Sequence, residues 1–125
     1  PDGRDNKILE NHGAIDQLEE LKSAGKIRAT GFSHKTIKEG ERALNSCDVI
    51  MATLSKSNNR ESALIREAGA QGRGVLIKKA LDSGLAAPES LRHVANQPGV
   101  SSILIGTIDP LHLEDDVAAL SLDST

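Results

Sequence analysis

The chain has 125 residues, a net charge of −3 and a single aromatic residue, Phe32. The length suits one domain, and it is about half of the ~250 residues of a complete (β/α)8 barrel. The scarcity of aromatic residues excludes stacking platforms for single-stranded nucleic acid, and the acidic balance argues against any nucleic-acid partner.

The sequence also argues against a membrane or secreted protein. No apolar run reaches the ~20 residues that a membrane-spanning helix needs. Residues 1–7 are largely polar, unlike a signal peptide, and Cys47 has no second cysteine to pair with. We therefore expect a cytoplasmic protein with a reduced thiol.

The first predicted helix has Ile15, Leu18 and Leu21 on one face and stops near Gly25. A predicted strand, a helix, a second strand and a second helix follow in turn, and they span residues 27–32, 37–44, 48–53 and 61–70.

The same alternation continues to the end of the chain. After a strand over 74–77, Pro88 opens a helix that Pro98-Gly99 ends, and a strand over 100–105 comes next. Asp109 is the predicted N-cap of a final helix that begins at Pro110.

This alternation predicts an α/β fold with a parallel sheet of four strands, as one domain over residues 1–125. The strands are short and nearly continuous in their apolar character, which is typical of strands covered on both faces. Two architectures fit, an open doubly wound sheet and half of a closed barrel, and periodicity does not choose between them.

Function in a parallel α/β fold lies at the carboxyl ends of the strands. Four loops are therefore the candidates for a site, and they cover residues 31–34, 53–56, 78–84 and 106–109.

Lys78 and Lys79 directly follow an apolar strand. One reading is a nucleophilic lysine of an aldolase-like site. The other is a pair of solvated lysines that point to opposite faces. Ser33 and His34 are adjacent in a strand and point apart, so they do not form a Ser–His nucleophile pair.

A metal site is not expected, because the histidines and the cysteine lack metal-ligand spacing. These residues are His12, His34, His93, His112 and Cys47. Cys47 is better explained as a packed thiol.

Four stretches resemble the aldo/keto reductase family in that family's order. Residues 18–33 resemble the run "LeeLkkaGKIRaiGfSn", and residues 48–51 stand at a strand often reading "DvvQ". Residues 78–85 resemble the loop "ySPLaSGLL", and residues 100–120 resemble "vtsviiGtsnpehleenvaal". The resemblance implies half of a TIM (β/α)8 barrel, with four strands equivalent to barrel strands five to eight.

In this family, that half of the barrel mainly holds a nicotinamide cofactor, usually NADP. By resemblance Ser33 contacts the nicotinamide amide, with His34 in place of an Asn. Leu81 and Ser83, in the same loop as Gly84, line the pyrophosphate.

The resemblance places the adenosine end of the cofactor on the last loop and helix. Thr107 stands near the adenosine phosphate, and Asp115 and Asp116 replace a Glu-Asn pair that reaches the adenine. Gly106 and His112 stand where many members have the Lys and Arg that grip the 2′-phosphate.

Two further departures lie at the nicotinamide. Met51 replaces a Gln, and Lys78 replaces an aromatic ring that stacks on the cofactor. An NADP phosphate would also meet Asp109, Asp115 and Asp116, which is unfavourable.

The family's catalytic Asp, Tyr, Lys and His lie on the first four barrel strands, and this chain has no Tyr. We therefore expect the chain alone not to reduce carbonyls. The alternative functions are a half-barrel that binds a nucleotide or phosphate ligand, and a structural module that associates with a second copy or with a partner half-barrel. The exposed strand edges and apolar sheet face of half a barrel favour such assembly.

Overall fold

The computed structural model describes Lys7, Leu9 and residues 13–82 and 88–121. Lys7 and Leu9 are helical, and from Gly13 onwards helices and strands alternate. In chain order they are α1 (Gly13–Ser23), β1 (Gly31–Ser33), α2 (Ile37–Leu44), β2 (Val49–Thr53), α3 (Ser62–Ala70), β3 (Gly74–Lys78), α4 (Pro88–Ala95), β4 (Ser102–Ile103) and α5 (Pro110–Ser121).

The four strands form one parallel sheet in the order β1-β2-β3-β4. A doubly wound sheet reverses its strand order at a switch point, and this sheet has no reversal. With right-handed crossovers, a sequential order places all the connecting helices on the same face. The order therefore identifies an arc of a barrel and decides between the two predicted architectures.

The core lies between this helical layer and one face of the sheet. Ile50 and Ala52 of β2 and Val75 and Ile77 of β3 are fully buried, and they pack in one cluster with side chains of the helices, including Leu44, Leu64, Ile65, Leu91 and Val94. The positions between them, such as Met51 and Leu76, are only half-buried. The prediction that both faces are covered is therefore wrong for the described residues, in which the inner face of the arc is open.

The two edge strands are shorter than the sequence predicts. β1 begins at Gly31 rather than near residue 27, and β4 is two residues long instead of six. β2 and β3 pair over five positions, whereas β3 and β4 pair over two. Among the described residues each edge strand pairs with a neighbour on one side only, so fewer of its residues form the hydrogen bonds that define a strand.

The predicted helix ends are confirmed at both ends of the chain. Gly25 has φ +70, and the amide of Lys26 donates to the carbonyl of Leu21, which closes α1. The Asp109 carboxylate accepts the amide of Leu111 at 2.9 Å and so caps α5. No helix in the described ranges is long and apolar enough to cross a membrane.

At the amino end of the sheet, Asp48 joins three elements. Its carboxylate accepts hydrogen bonds from Lys22 Nζ at 2.6 and 2.8 Å and from the Thr30 amide at 2.9 Å, and Arg73 Nη1 lies 3.7 Å away. The hydrogen bond from Lys22, followed by that from Thr30, lowers the pKa of Asp48. These contacts stabilise the end of the sheet that faces away from the predicted site.

The turn before β4 requires a glycine. Gly99 has φ +96, and a Cβ there would clash with the carbonyl oxygen of Ile65. Gly72 has a similar φ of +71 but open space around a Cβ. Gly72→Ala should cost about 1 kcal/mol from backbone strain alone, and Gly99→Ala should cost roughly 3 kcal/mol or more because overpacking is added.

Urea denaturation of both variants checks this difference. Equal losses of unfolding free energy in Gly72→Ala and Gly99→Ala would mean that the approach of the turn to α3 is not close-packed.

Candidate functional site

The carboxyl ends of β1 and β3 are joined by Lys78. Its ammonium donates to Ser33 Oγ at 3.1 Å and to the main-chain carbonyl of His34 at 2.7 Å. Ser33 ends β1 and His34 begins the loop that follows it, so the side chain crosses the end of β2. A lysine that donates to two oxygens is a positioned cation, which speaks against Lys78 as the nucleophile of an aldolase-like site.

The resemblance places His34 at the nicotinamide, and the structure places its ring in the interior. Its ring is fully buried, and Nε2 lies 2.7 Å from Glu61 Oε2 at the start of α3. Nδ1 has no hydrogen-bond partner in the described part of the chain. The imidazole is therefore inaccessible to a cofactor. His34 contacts the site only through its main-chain carbonyl, which accepts the hydrogen bond from Lys78.

Glu61 connects this pair to the neighbouring strand. Its Oε2 also accepts the amide of Thr53 at 3.1 Å. Burial by itself raises the pKa of the Glu61 carboxyl, but the hydrogen bonds from His34 and Thr53 and the charge of Lys78 outweigh it, and the net pKa is lowered. Sequence reasoning missed Glu61, because nothing in its local pattern distinguishes it from a surface glutamate.

A crevice of about 530 Å³ lies over the carboxyl ends of β2, β3 and β4. We call it the β3 crevice. Residues of the loops after these strands line it, among them Ser55, Lys79, Leu81, Asp82 and Gly106. Its volume is in the range of small-molecule sites.

Asp82 ties the loop after β3 to the loop after β2. Its Oδ1 accepts Ser55 Oγ at 2.5 Å and Ser57 Oγ at 2.6 Å. These two hydrogen bonds lower the pKa of Asp82. Asp82 and Lys79 have positive φ values of 43 and 62, which are unusual for residues with side chains and often accompany functional loops. The sequence did not reveal these hydrogen bonds, because Ser55 and Ser57 lie 27 and 25 residues before Asp82 in the chain.

The residues predicted for the adenosine end lie beside β4. Thr107 Oγ accepts the amide of Asp109 at 3.1 Å, and His112 Nε2 lies 3.7 Å from Asp109 Oδ2. Asp115 is exposed, while Asp116 is half-buried. These four residues lie on the β4 side of the sheet, whereas Ser33 ends β1 and Lys78 ends β3. Gly106 and the β3 crevice lie between the two groups.

Two of the predicted residues, Ser83 and Gly84, lie outside the described ranges, as does His12. Within those ranges no three His, Cys, Asp or Glu side chains are close enough to hold a metal ion. Cys47 is buried and unpaired, as predicted, and burial raises the pKa of its thiol.

Two solved structures, each described as a "putative aldo-keto reductase" from Pseudomonas aeruginosa, are similar to this chain. Both superpose with a TM-score of 0.87 over 98% of the present chain, with 42% and 41% sequence identity. The chain spans about half of their length, 49% and 48%. No protein-family model and no curated protein sequence matches the chain.

Glu61→Gln tests the buried pair through the pH dependence of stability. The pKa of Glu61 in the folded protein is lower than the ordinary value of 4.5. Its ionised carboxylate therefore contributes fully to the free energy of unfolding above pH 4.5, and this contribution is lost as the pH falls through the folded-state pKa. At pH 7 the variant should lose about 1–3 kcal/mol of unfolding free energy, and the gap to the wild type should shrink below pH 4.5.

The control is Glu41→Gln, which removes an exposed carboxylate from α2. Its unfolding free energy should follow the wild type at every pH. A Glu61→Gln gap that stays constant from pH 7 to pH 3 would show that the carboxylate charge does not stabilise the pair.

Proposed function

Because this chain belongs to the aldo-keto reductase family and corresponds to about half of one of its barrels, we propose that it is the cofactor-holding half of a nicotinamide-dependent carbonyl oxidoreductase. The observation that carries the proposal is the contact between Lys78 and Ser33 at the strand ends. It presents a hydroxyl and a cation together, beside a crevice of ligand size.

The described residues fit one part of an NADP(H) molecule better than the other. Ser33 and Lys78 offer donors for the nicotinamide end, and Lys79, Leu81 and Gly106 line the adjoining β3 crevice, where the pyrophosphate would lie. A cation and an uncrowded glycine suit a phosphate chain, because the backbone can approach it closely.

The 2′-phosphate end has a weaker fit. The loop from Gly106 to His112 has no Lys or Arg. His112 is paired with Asp109, which adds negative charge where the phosphate would lie. We therefore assign NADP(H) by family resemblance, and propose that this chain discriminates weakly between NADPH and NADH.

The bound cofactor would supply a hydride for carbonyl reduction. The residues of this chain would hold and orient it: Ser33 through its hydroxyl, Lys78 through its ammonium, and Leu81 by packing. A proton donor is also needed, and the tyrosine that the family uses for this step is absent from the sequence. We propose that the chain alone is inactive and that its site is completed by another half-barrel, in the cytoplasm.

A second proposed function, assembly, rests on apolar exposure. An apolar groove of about 480 Å³ runs between α4, β4 and α5, lined mainly by aliphatic side chains. Of the side chains that line it, Val117 is 56% exposed, Leu113 48% and Leu120 41%. Contiguous apolar surface of this kind marks association sites, so we propose that the groove docks a second half-barrel, in the simplest case another copy of this chain.

Calorimetric titration with NADPH tests the cofactor proposal. We expect saturable binding that Ser33→Ala weakens about tenfold, because one hydrogen bond to the cofactor is lost. Ser23→Ala, at the opposite end of the sheet, is the matched control. NADH should bind within about fivefold of NADPH, since a 2′-phosphate without a cation contributes little. Absence of binding at millimolar NADPH would contradict the proposal.

Sedimentation velocity tests the assembly proposal. The wild type should sediment as a dimer at micromolar concentration, and Val117→Asp should shift it to monomer, because a charge in an apolar interface is costly to bury. Ala118→Asp places the same charge on α5 at a residue that does not line the groove. A monodisperse wild-type monomer, or equal effects of the two variants, would rule out docking through the groove.

A further inference from the structure

We infer that a second crevice, distinct from the β3 crevice, is a binding site for a phosphate group. It lies between the amino-terminal ends of α2 and α3 and has a volume of about 560 Å³. Lys35, Arg60 and Lys79 line it, together with Thr53, Asn58 and Glu61. We call it the α2–α3 crevice.

Three cations meet here from three separate loops. Lys35 follows β1, Arg60 follows β2 and Lys79 follows β3, so only the parallel sheet brings them together. Within the described part of the chain, none of the three forms an ion pair, although other exposed cations do, such as Lys56 with Glu89. Like charges held around one cavity repel one another unless an anion lies between them.

The amino end of α3 adds to the positive potential. Its N-cap residue, Glu61, makes no side-chain capping bond, and its first turn has no acidic residue. A helix end of this kind carries a partial positive charge, which suits phosphate. In α2 the corresponding end is closed by a capping box of Thr36 and Glu39, so we assign it no part in binding.

The negative groups nearby are already engaged. Glu61 is bonded to His34 and to the amide of Thr53, and Glu39 accepts the amides of Lys35 and Thr36. Of these two carboxylates only Glu61 lines the crevice, so three cations face one carboxylate and the crevice keeps a net positive charge. The fork geometry of Arg60 favours a phosphate over a single halide ion.

This site is separate from the proposed cofactor site in a way that experiments can use. Lys35 and Arg60 line only the α2–α3 crevice, whereas Ser33 and Leu81 do not line it. Thr53, Asn58 and Lys79 line both crevices and are therefore unsuitable for separating them.

The test is an NMR titration of the ¹⁵N-labelled chain with inorganic phosphate at pH 7 and low ionic strength. We expect saturable shifts at the amides of Arg60, Glu61 and Ser62. Arg60→Gln and Lys35→Gln should each weaken phosphate about tenfold while leaving the NADPH affinity unchanged, because each removes a charged contact. The amide spectrum of each variant reports whether it remains folded.

The matched control is Lys26→Gln, which removes an exposed cation from the turn before β1. It should change the phosphate affinity less than twofold, an effect of net charge only. Equal weakening by Lys26→Gln and Arg60→Gln, shifts spread over the whole surface, or no saturation up to about 50 mM phosphate would overturn the site.

Discussion

The strand order is the constraint from which the other features follow. Parallel strands that succeed one another without reversal, joined by right-handed crossovers, have their helices on one face. Ile50 and Ile77 are buried against that layer, and the alternate positions of the same strands remain half-buried. The same order brings four carboxyl ends to one edge, where both crevices and the polar contacts of the site are found.

The polar network at that edge explains how short edge strands hold a site in place. Glu61 bonds to His34 and to the amide of Thr53, and the carbonyl of His34 accepts Lys78. β1, β2, β3 and the start of α3 are thereby linked through two buried side chains. At the opposite end of the sheet, Asp48 has a comparable role, with the buried Thr30 and the half-buried Lys22 as partners.

Charge is divided across the carboxyl edge. Lys78 ends β3, and the loops after β1, β2 and β3 have Lys35, Arg60 and Lys79, while their carboxylates Glu61 and Asp82 are engaged in hydrogen bonds. The β4 side has Asp109, Asp115 and Asp116. An anionic ligand is attracted to the first three loops and repelled from the last. Lys35, Arg60 and Lys79 of this cationic side line the α2–α3 crevice. The apolar groove beside α5 lies on the acidic side, where a protein partner could bury it.

The alternation of helices and strands, the helix caps at Gly25 and Asp109 and the family resemblance could all be read from the sequence, because each depends on local patterns or on ordered motifs. The resemblance alone also indicated half of a barrel, and the strand order and the solved relatives confirmed it. Tertiary structure decided the rest. His34 stands next to Ser33 and was expected to share its role, yet its ring is buried against a glutamate 27 residues away. The tie between Asp82 and the serines, and the meeting of Lys35, Arg60 and Lys79, likewise join loops that only the parallel sheet makes neighbours. Sequence periodicity reports which face of an element is apolar, whereas contacts between distant residues depend on how the elements are stacked.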